Sequence, residues 1–139
     1  MLLNHEKHFI SFFYFRIINI WIKGLDKRKL QAQVTYKIVE TSPRCKQLTK
    51  RLYERIVKNN GTSYGIMLES SPNPKTDPPQ WYSKNYNFNL HESYADRMPV
   101  IVRFVFDPKK QQLYEEDVAN NKLIAIAFDK KLLKRFNQK

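Results

Sequence analysis

The segment LHESYADR, residues 90–97, holds the side chains that come nearest to active-site chemistry: a histidine beside a glutamate, then an aspartate and an arginine. A zinc protease motif needs a second histidine four residues after the first, and Ala95 occupies that position. A glycosidase needs two carboxylates held across a sugar, which Glu92 and Asp96 could supply. One hypothesis is therefore a small hydrolase that uses His91 with Glu92 or Asp96.

A nucleophilic triad would need more than His91, because nucleophile, base and orienting group must converge. The chain has one cysteine, Cys45, and it falls on the apolar stripe of a predicted helix, where a buried packing role is expected. No glycine pattern of a phosphate loop, a dinucleotide site or a nucleophile elbow is present. We therefore expect no catalytic residue and no cofactor, and we expect that the protein is not an enzyme.

A structural role explains the LHESYADR segment better. We expect Leu90 to end the buried face of a strand, with His91 pointing outward. Glu92 and Asp96 would then pair with Arg97 or cap the following turn.

A second acidic cluster, Glu115, Glu116 and Asp117, has the ligand type that Ca²⁺ and Mg²⁺ prefer. Successive strand residues face opposite sides of a sheet, so at most two of the three converge. We interpret the cluster as a solvated edge strand whose charges discourage sheet-to-sheet pairing. The single Cys45 also excludes an intramolecular disulfide and a cysteine-based zinc cage, so no metal site is predicted.

Residues 43–59 form the strongest predicted helix. Ser42 is a suitable N-cap, Pro43 suits the first helical position, and Asn59 to Gly61 end the helix. One apolar stripe recurs at three- and four-residue spacing; its members are Cys45, Leu48, Leu52, Ile56 and Val57. We expect this stripe to cover a sheet.

The rest of this helix is basic, with six cations against Glu54 alone. These candidate binding residues are Arg44, Lys46, Lys50, Arg51, Arg55 and Lys58. An acidic protein, a lipid surface or a nucleic acid would each suit such a surface, while an ordinary solvated helix face remains the alternative. The whole chain is basic as well, with a net charge of +12 over 139 residues.

The remaining pattern predicts a sheet. Alternation over residues 30–38 predicts a first strand, and further strands are expected at 63–69, 86–90, 100–106, 113–118 and 123–128. Residues 70–80 form a proline-rich loop. Asp107 and Pro108 begin a turn, and Asp129 caps a short C-terminal helix that contains Leu132, Leu133 and Phe136.

Short consecutive strands joined by tight turns favour antiparallel pairing, and an amphipathic helix needs a sheet face. We therefore predict an α+β fold in which an antiparallel meander packs against one main helix. Over roughly residues 30–128 the order of elements resembles a cystatin-like fold, without an inhibitory motif of that family. Residues 29–139 are expected to form this single domain.

Residues 1–28 are predicted to be an apolar N-terminal segment. Its run Phe9 to Ile22 is short for a membrane span and contains Arg16. It is open whether this run is an element of the domain, an export or membrane-association segment, or a contact for another protein.

The favoured function is a non-enzymatic binding or assembly module, with an envelope-associated or exported location slightly favoured over the cytoplasm. A nucleic-acid-associated subunit of a larger complex is the first alternative and the hydrolase is the second.

Overall fold

The structure, a computed structural model, describes residues 27–72 and 83–138. The predictions for the run Phe9 to Ile22 and for most of the proline-rich loop lie outside the described residues. No helix in the described ranges is long and apolar enough to cross a membrane.

The first element is a helix, α1, spanning Lys27–Thr41, so the strand predicted over residues 30–38 is wrong. The buried residues of α1 come in two adjacent pairs, Val34 with Thr35 and Ile38 with Val39. Positions 34 and 38 lie on one face of a strand, because they are four residues apart, and also on one face of a helix, because four residues make about one turn. Tyr36 distinguishes the two patterns: strand alternation would bury it beside Val34 and Ile38, but it is 37% exposed.

The predicted helix 43–59 is two helices, α2 at Pro43–Thr49 and α3 at Leu52–Lys58. Its expected start is confirmed, because the Ser42 hydroxyl accepts a hydrogen bond from the backbone N–H of Cys45. Its expected end is confirmed too, since Asn60 has a positive φ of 68°. Between the helices Lys50 is extended and Arg51 is left-handed, which interrupts the helical hydrogen bonds.

Five antiparallel strands follow, in the order of the sequence across the sheet. They are β1 (Ser63–Ser70), β2 (Tyr86–Ser93), β3 (Val100–Asp107), β4 (Gln112–Asp117) and β5 (Lys122–Ile126). The predicted α+β class and the meander are confirmed, with three helices rather than one main helix preceding the sheet.

The core lies between one face of the sheet and the helices. Phe88, Leu90, Phe104, Phe106 and Leu113 from the strands meet Val34, Ile38, Val39 and Cys45 from α1 and α2. After β5, Asp129 caps a 3₁₀ turn at Lys130–Leu132, as predicted, and the short helix α4, Leu133–Phe136, follows. Phe136 closes the core by edge-to-face contacts with Tyr86 and Phe106.

Candidate binding surface

The six candidate cations fall into two groups, of which the first binds the protein's own carboxylates. Arg44 Nε lies 2.8 Å from Glu115 Oε2 and Nη2 lies 3.1 Å from Oε1. The hydrogen bond with Glu115 raises the pKa of Arg44. Arg55 Nη2 of α3 lies 3.6 Å from Glu92 Oε1 of β2. Both arginines therefore connect a helix to the sheet, Arg44 by a two-point contact and Arg55 by a longer one in which its side chain is 62% exposed. Their predicted role in binding stays a prediction.

The second group is Lys46, Lys50, Arg51 and Lys58, which we call the basic surface. All four are exposed, and none forms a salt bridge with a residue in the described ranges. The backbone N–H of Lys50 donates to the carbonyl of Lys46, so these lysines are one turn apart and neighbours on the surface. In the part of the chain that the structure describes, no carboxylate lies within 4 Å of their charged nitrogens.

Arg51 joins the two helices with φ 62° and ψ 10°. A non-glycine residue in this left-handed region costs about 1–3 kcal/mol and persists only where its surroundings impose it. Leu52, next along the chain, is 2% exposed and anchors α3 to the interior. The strained backbone thus joins two packed helices and holds a charged side chain in solvent between them.

His91 takes part in a polar network on the face of the sheet away from the helices. Its Nδ1 lies 2.8 Å from Asn89 Oδ1, while Asn89 Nδ2 donates to Glu69 Oε1 at 2.7 Å. Glu69 Oε2 accepts from Arg103 Nε at 3.2 Å. Because the Asn89 oxygen faces the ring, Nδ1 of His91 is the donor of that bond. The network joins β1, β2 and β3, and sequence reasoning missed it.

The expectation for His91 was right about the face and wrong about its exposure. His91 is 8% exposed, and its ring packs over Gly65, where an added Cβ would lie 3.2 Å from Nε2. The one signal in the sequence is the alternation of Asn87, Asn89 and His91 along β2, which indicates a polar face but not its burial.

The two acids of the LHESYADR segment do not join His91. Glu92 pairs with Arg55 of α3, toward the helices, rather than with Arg97 or the turn as expected. Asp96 lies 3.2 Å from Arg97, as expected, and its side chain is 76% exposed. The group that hydrogen-bonds His91 Nδ1 is the side-chain amide of Asn89, and the salt bridges of Glu92 and Asp96 are with Arg55 and Arg97.

The acidic cluster on β4 is not on an edge strand, because β5 pairs outside it; that interpretation is wrong. Glu115 faces α2 and binds Arg44. Hydrogen bonds from Asn120 lower the pKa of Asp117. Among the described residues, no three histidine, cysteine or carboxylate side chains come together in a way that could hold a metal ion.

A cleft of about 370 Å³ opens where β3 and β4 separate. Their pairing ends at Phe104 and Glu115, while β3 continues along β2 to Val100 and β4 continues along β5 to Asp117. The divergence exposes apolar side chains at the end of the β4–β5 hairpin, with Val118 at 70% and Ile124 at 50%.

Comparison with known proteins gave no match: no family model, no curated protein and no solved structure is similar to this chain.

Proposed function

We propose that the protein is a non-enzymatic binding or assembly module whose basic surface engages an anionic partner. The observation that carries this proposal is the division of the six cations. Two are neutralised by the sheet, whereas the four of the basic surface project from α2, α3 and their junction without a salt bridge in the described ranges. Four cations on neighbouring turns favour encounter with an opposite charge.

A charge-reversal experiment tests the proposal. One variant of the full chain carries Lys46→Glu, Lys50→Glu, Arg51→Glu and Lys58→Glu. Its control carries Lys109→Glu, Lys110→Glu, Lys134→Glu and Arg135→Glu. The two variants change the same residue types and lower the net charge equally, and all eight positions are exposed.

Binding is measured to three defined probes: a poly-glutamate chain, phosphatidylserine vesicles and duplex DNA. We expect the first variant to lose at least tenfold in affinity for the preferred probe while the control stays within threefold, roughly 1.4 against 0.65 kcal/mol. Equal losses in both variants would show that binding reports net charge alone, and the basic surface would not be the site.

Salt dependence separates a nucleic-acid partner from the others. Each phosphate contact contributes about −0.9 to the slope of log affinity against log salt on duplex DNA, so four contacts predict a slope near −3.6. A slope of this size that disappears in the first variant would favour the nucleic-acid-associated alternative. Preference for poly-glutamate would favour an acidic protein, and preference for vesicles a lipid surface.

The apolar run Phe9 to Ile22 is part of the same proposal as a contact with a membrane or a second protein, because its apolar composition suits either an acyl layer or an apolar protein surface. Deleting residues 1–26 is expected to abolish partitioning into neutral vesicles and to leave poly-glutamate binding unchanged. Unchanged partitioning would remove the membrane contact, and an envelope-associated location with it.

A further inference from the structure

Within residues 27–72 and 83–138, strand β5 is an open edge of the sheet. Its one neighbouring strand in these ranges is β4, and its residues Lys122 to Ala125 are exposed. Leu123 and Ile124 are 48% and 50% exposed. A strand at an edge presents a row of backbone N–H and C=O groups that can pair with another strand.

The two edges of this sheet differ in how they are protected. Strand β1 has an irregular register between Leu68 and Ser70, carries Glu69 and is flanked by α3. Strand β5 reads KLIAI: it has no proline, its pairing with β4 is regular, and its one charge, Lys122, is at its start. Charges, prolines and bulges are the usual protections of an edge strand, so β5 is the edge suited to pairing.

We propose that β5 pairs antiparallel with β5 of a second copy of this chain, about a twofold axis at Ile124. This register places Ile124 opposite Ile124 of the partner subunit and Leu123 opposite the partner's Ala125. Lys122 lies opposite the partner's Ile126. Apolar side chains therefore meet on both faces, and no like charges are directly opposed, which satisfies the self-complementarity of a twofold interface.

The charges near the axis are compatible with this pairing. The two Lys122 residues are four positions apart along the joined strands, roughly 14 Å at 3.4 Å per residue, which exceeds the screening length of about 8 Å at physiological salt. Each Lys122 also faces Asp117 of its own β4 across the hairpin. The remaining repulsion is between whole molecules of charge +12, so added salt strengthens the dimer.

The small size of the interface favours a weak dimer. Five residues span only about 17 Å, and such an edge buries less than the roughly 800 Å² per partner of a standard interface. The dimer is thus expected to dissociate in the micromolar range. Its salt response is opposite in sign to that of an anionic partner on the basic surface, so failure of either proposal is distinguishable from failure of the other.

Sedimentation equilibrium on the full chain tests the dimer. Ile124→Lys would place two lysines opposite each other at the axis, with their Cβ atoms about 5 Å apart. Repulsion between the two like charges is expected to raise the dissociation constant at least tenfold. Val57→Lys on α3 is the matched control, because Val57 is 47% exposed, and it should leave the dimer unchanged. An equimolar mixture of Ile124→Lys and Ile124→Glu should restore dimers as heterodimers.

Oxidative cross-linking tests the register. Ile124→Cys places two thiols directly opposite each other, within the Cα separation of about 4.4–6.8 Å that a disulfide spans, whereas Lys122→Cys places them too far apart. Native Cys45 is 2% exposed and does not compete. We expect a disulfide-linked dimer from the first variant only. A chain that stays monomeric up to millimolar concentration, or a dimer indifferent to Ile124→Lys, would overturn the proposal.

Discussion

Arg44 of α2 and Glu115 of β4 form a two-point ion pair that joins the helices to the sheet. Both contacts are short, at 2.8 and 3.1 Å, and the side chains are only 38% and 19% exposed. A planar guanidinium can donate two parallel hydrogen bonds to the two oxygens of one carboxylate, and such two-point pairs are stronger than pairs with a single contact. Arg44 therefore contributes to the fold, and its predicted role as a binding residue stays a prediction.

A double-mutant cycle of Arg44→Met and Glu115→Gln measures this pair. We expect a coupling free energy of about 1 kcal/mol from urea unfolding, near the upper end for partly exposed pairs. The pair of Arg97 and Asp96, 60% and 76% exposed, is the control and should give a coupling near zero. Equal coupling in both pairs would contradict a structural role specific to Arg44 and Glu115.

The basic surface itself contains a position where stability and binding should move in opposite directions. Arg51→Gly removes a side chain from a left-handed backbone and is expected to raise the free energy of unfolding by about 0.5–1 kcal/mol. The same change removes a cation, so affinity for the preferred anionic probe should fall. Lys50→Gly, at φ −61°, loses the cation without relieving strain and should lower stability. A loss of stability in Arg51→Gly would show that the side chain contributes more than the strain costs.

The strands were predictable because their signal is local. Phe88 and Leu90 alternate with Asn87 and Asn89, and apolar residues at this spacing with polar ones between them do not fit the three- and four-residue spacing of a helix. The helix α1 was missed because Leu30, Val34 and Ile38 fit both periods. The break at Arg51 was missed because neither glycine nor proline marks it, and packing of Leu52 and Ile56, both buried, overrides local propensity.

The network around His91 was not predictable, because it depends on register. Glu69, Asn89 and Arg103 lie on three different strands, and nothing within one strand indicates which residues become neighbours. Likewise Glu92 was expected to bond locally with Arg97, whereas the arrangement of α3 over β1 and β2 brings Arg55 to it. The basic helix region was found from charge alone, but its division into paired and unpaired cations required tertiary structure.

Asn89 is the central link of that network and is 2% exposed. Asn89→Ala leaves the Nδ1–H of His91 and one oxygen of Glu69 without their partner, and leaving a buried polar group unsatisfied costs about 1–3 kcal/mol. We expect a loss of this size in chemical unfolding. Asn120→Ala, at an exposed turn, is the control and should cost less than about 0.5 kcal/mol. Equal effects would mean that the network contributes nothing beyond a surface hydrogen bond.

Cys45 gives the protein a pH dependence whose sign follows from burial. Burial, and secondarily the charge of Glu40, raises the pKa of the Cys45 thiol, while an unfolded thiol ionises near 8.5. The folded state therefore holds a proton that the unfolded state releases, and this contribution to stability is complete below about pH 8.5 and is lost as pH rises further. Between pH 7.5 and roughly pH 9, where most tyrosine and lysine side chains still hold their protons, wild type should lose more stability than Cys45→Ala. The same burial predicts that Ellman's reagent labels the thiol only after unfolding, and rapid labelling of the native protein would contradict the packing of Cys45 in the core.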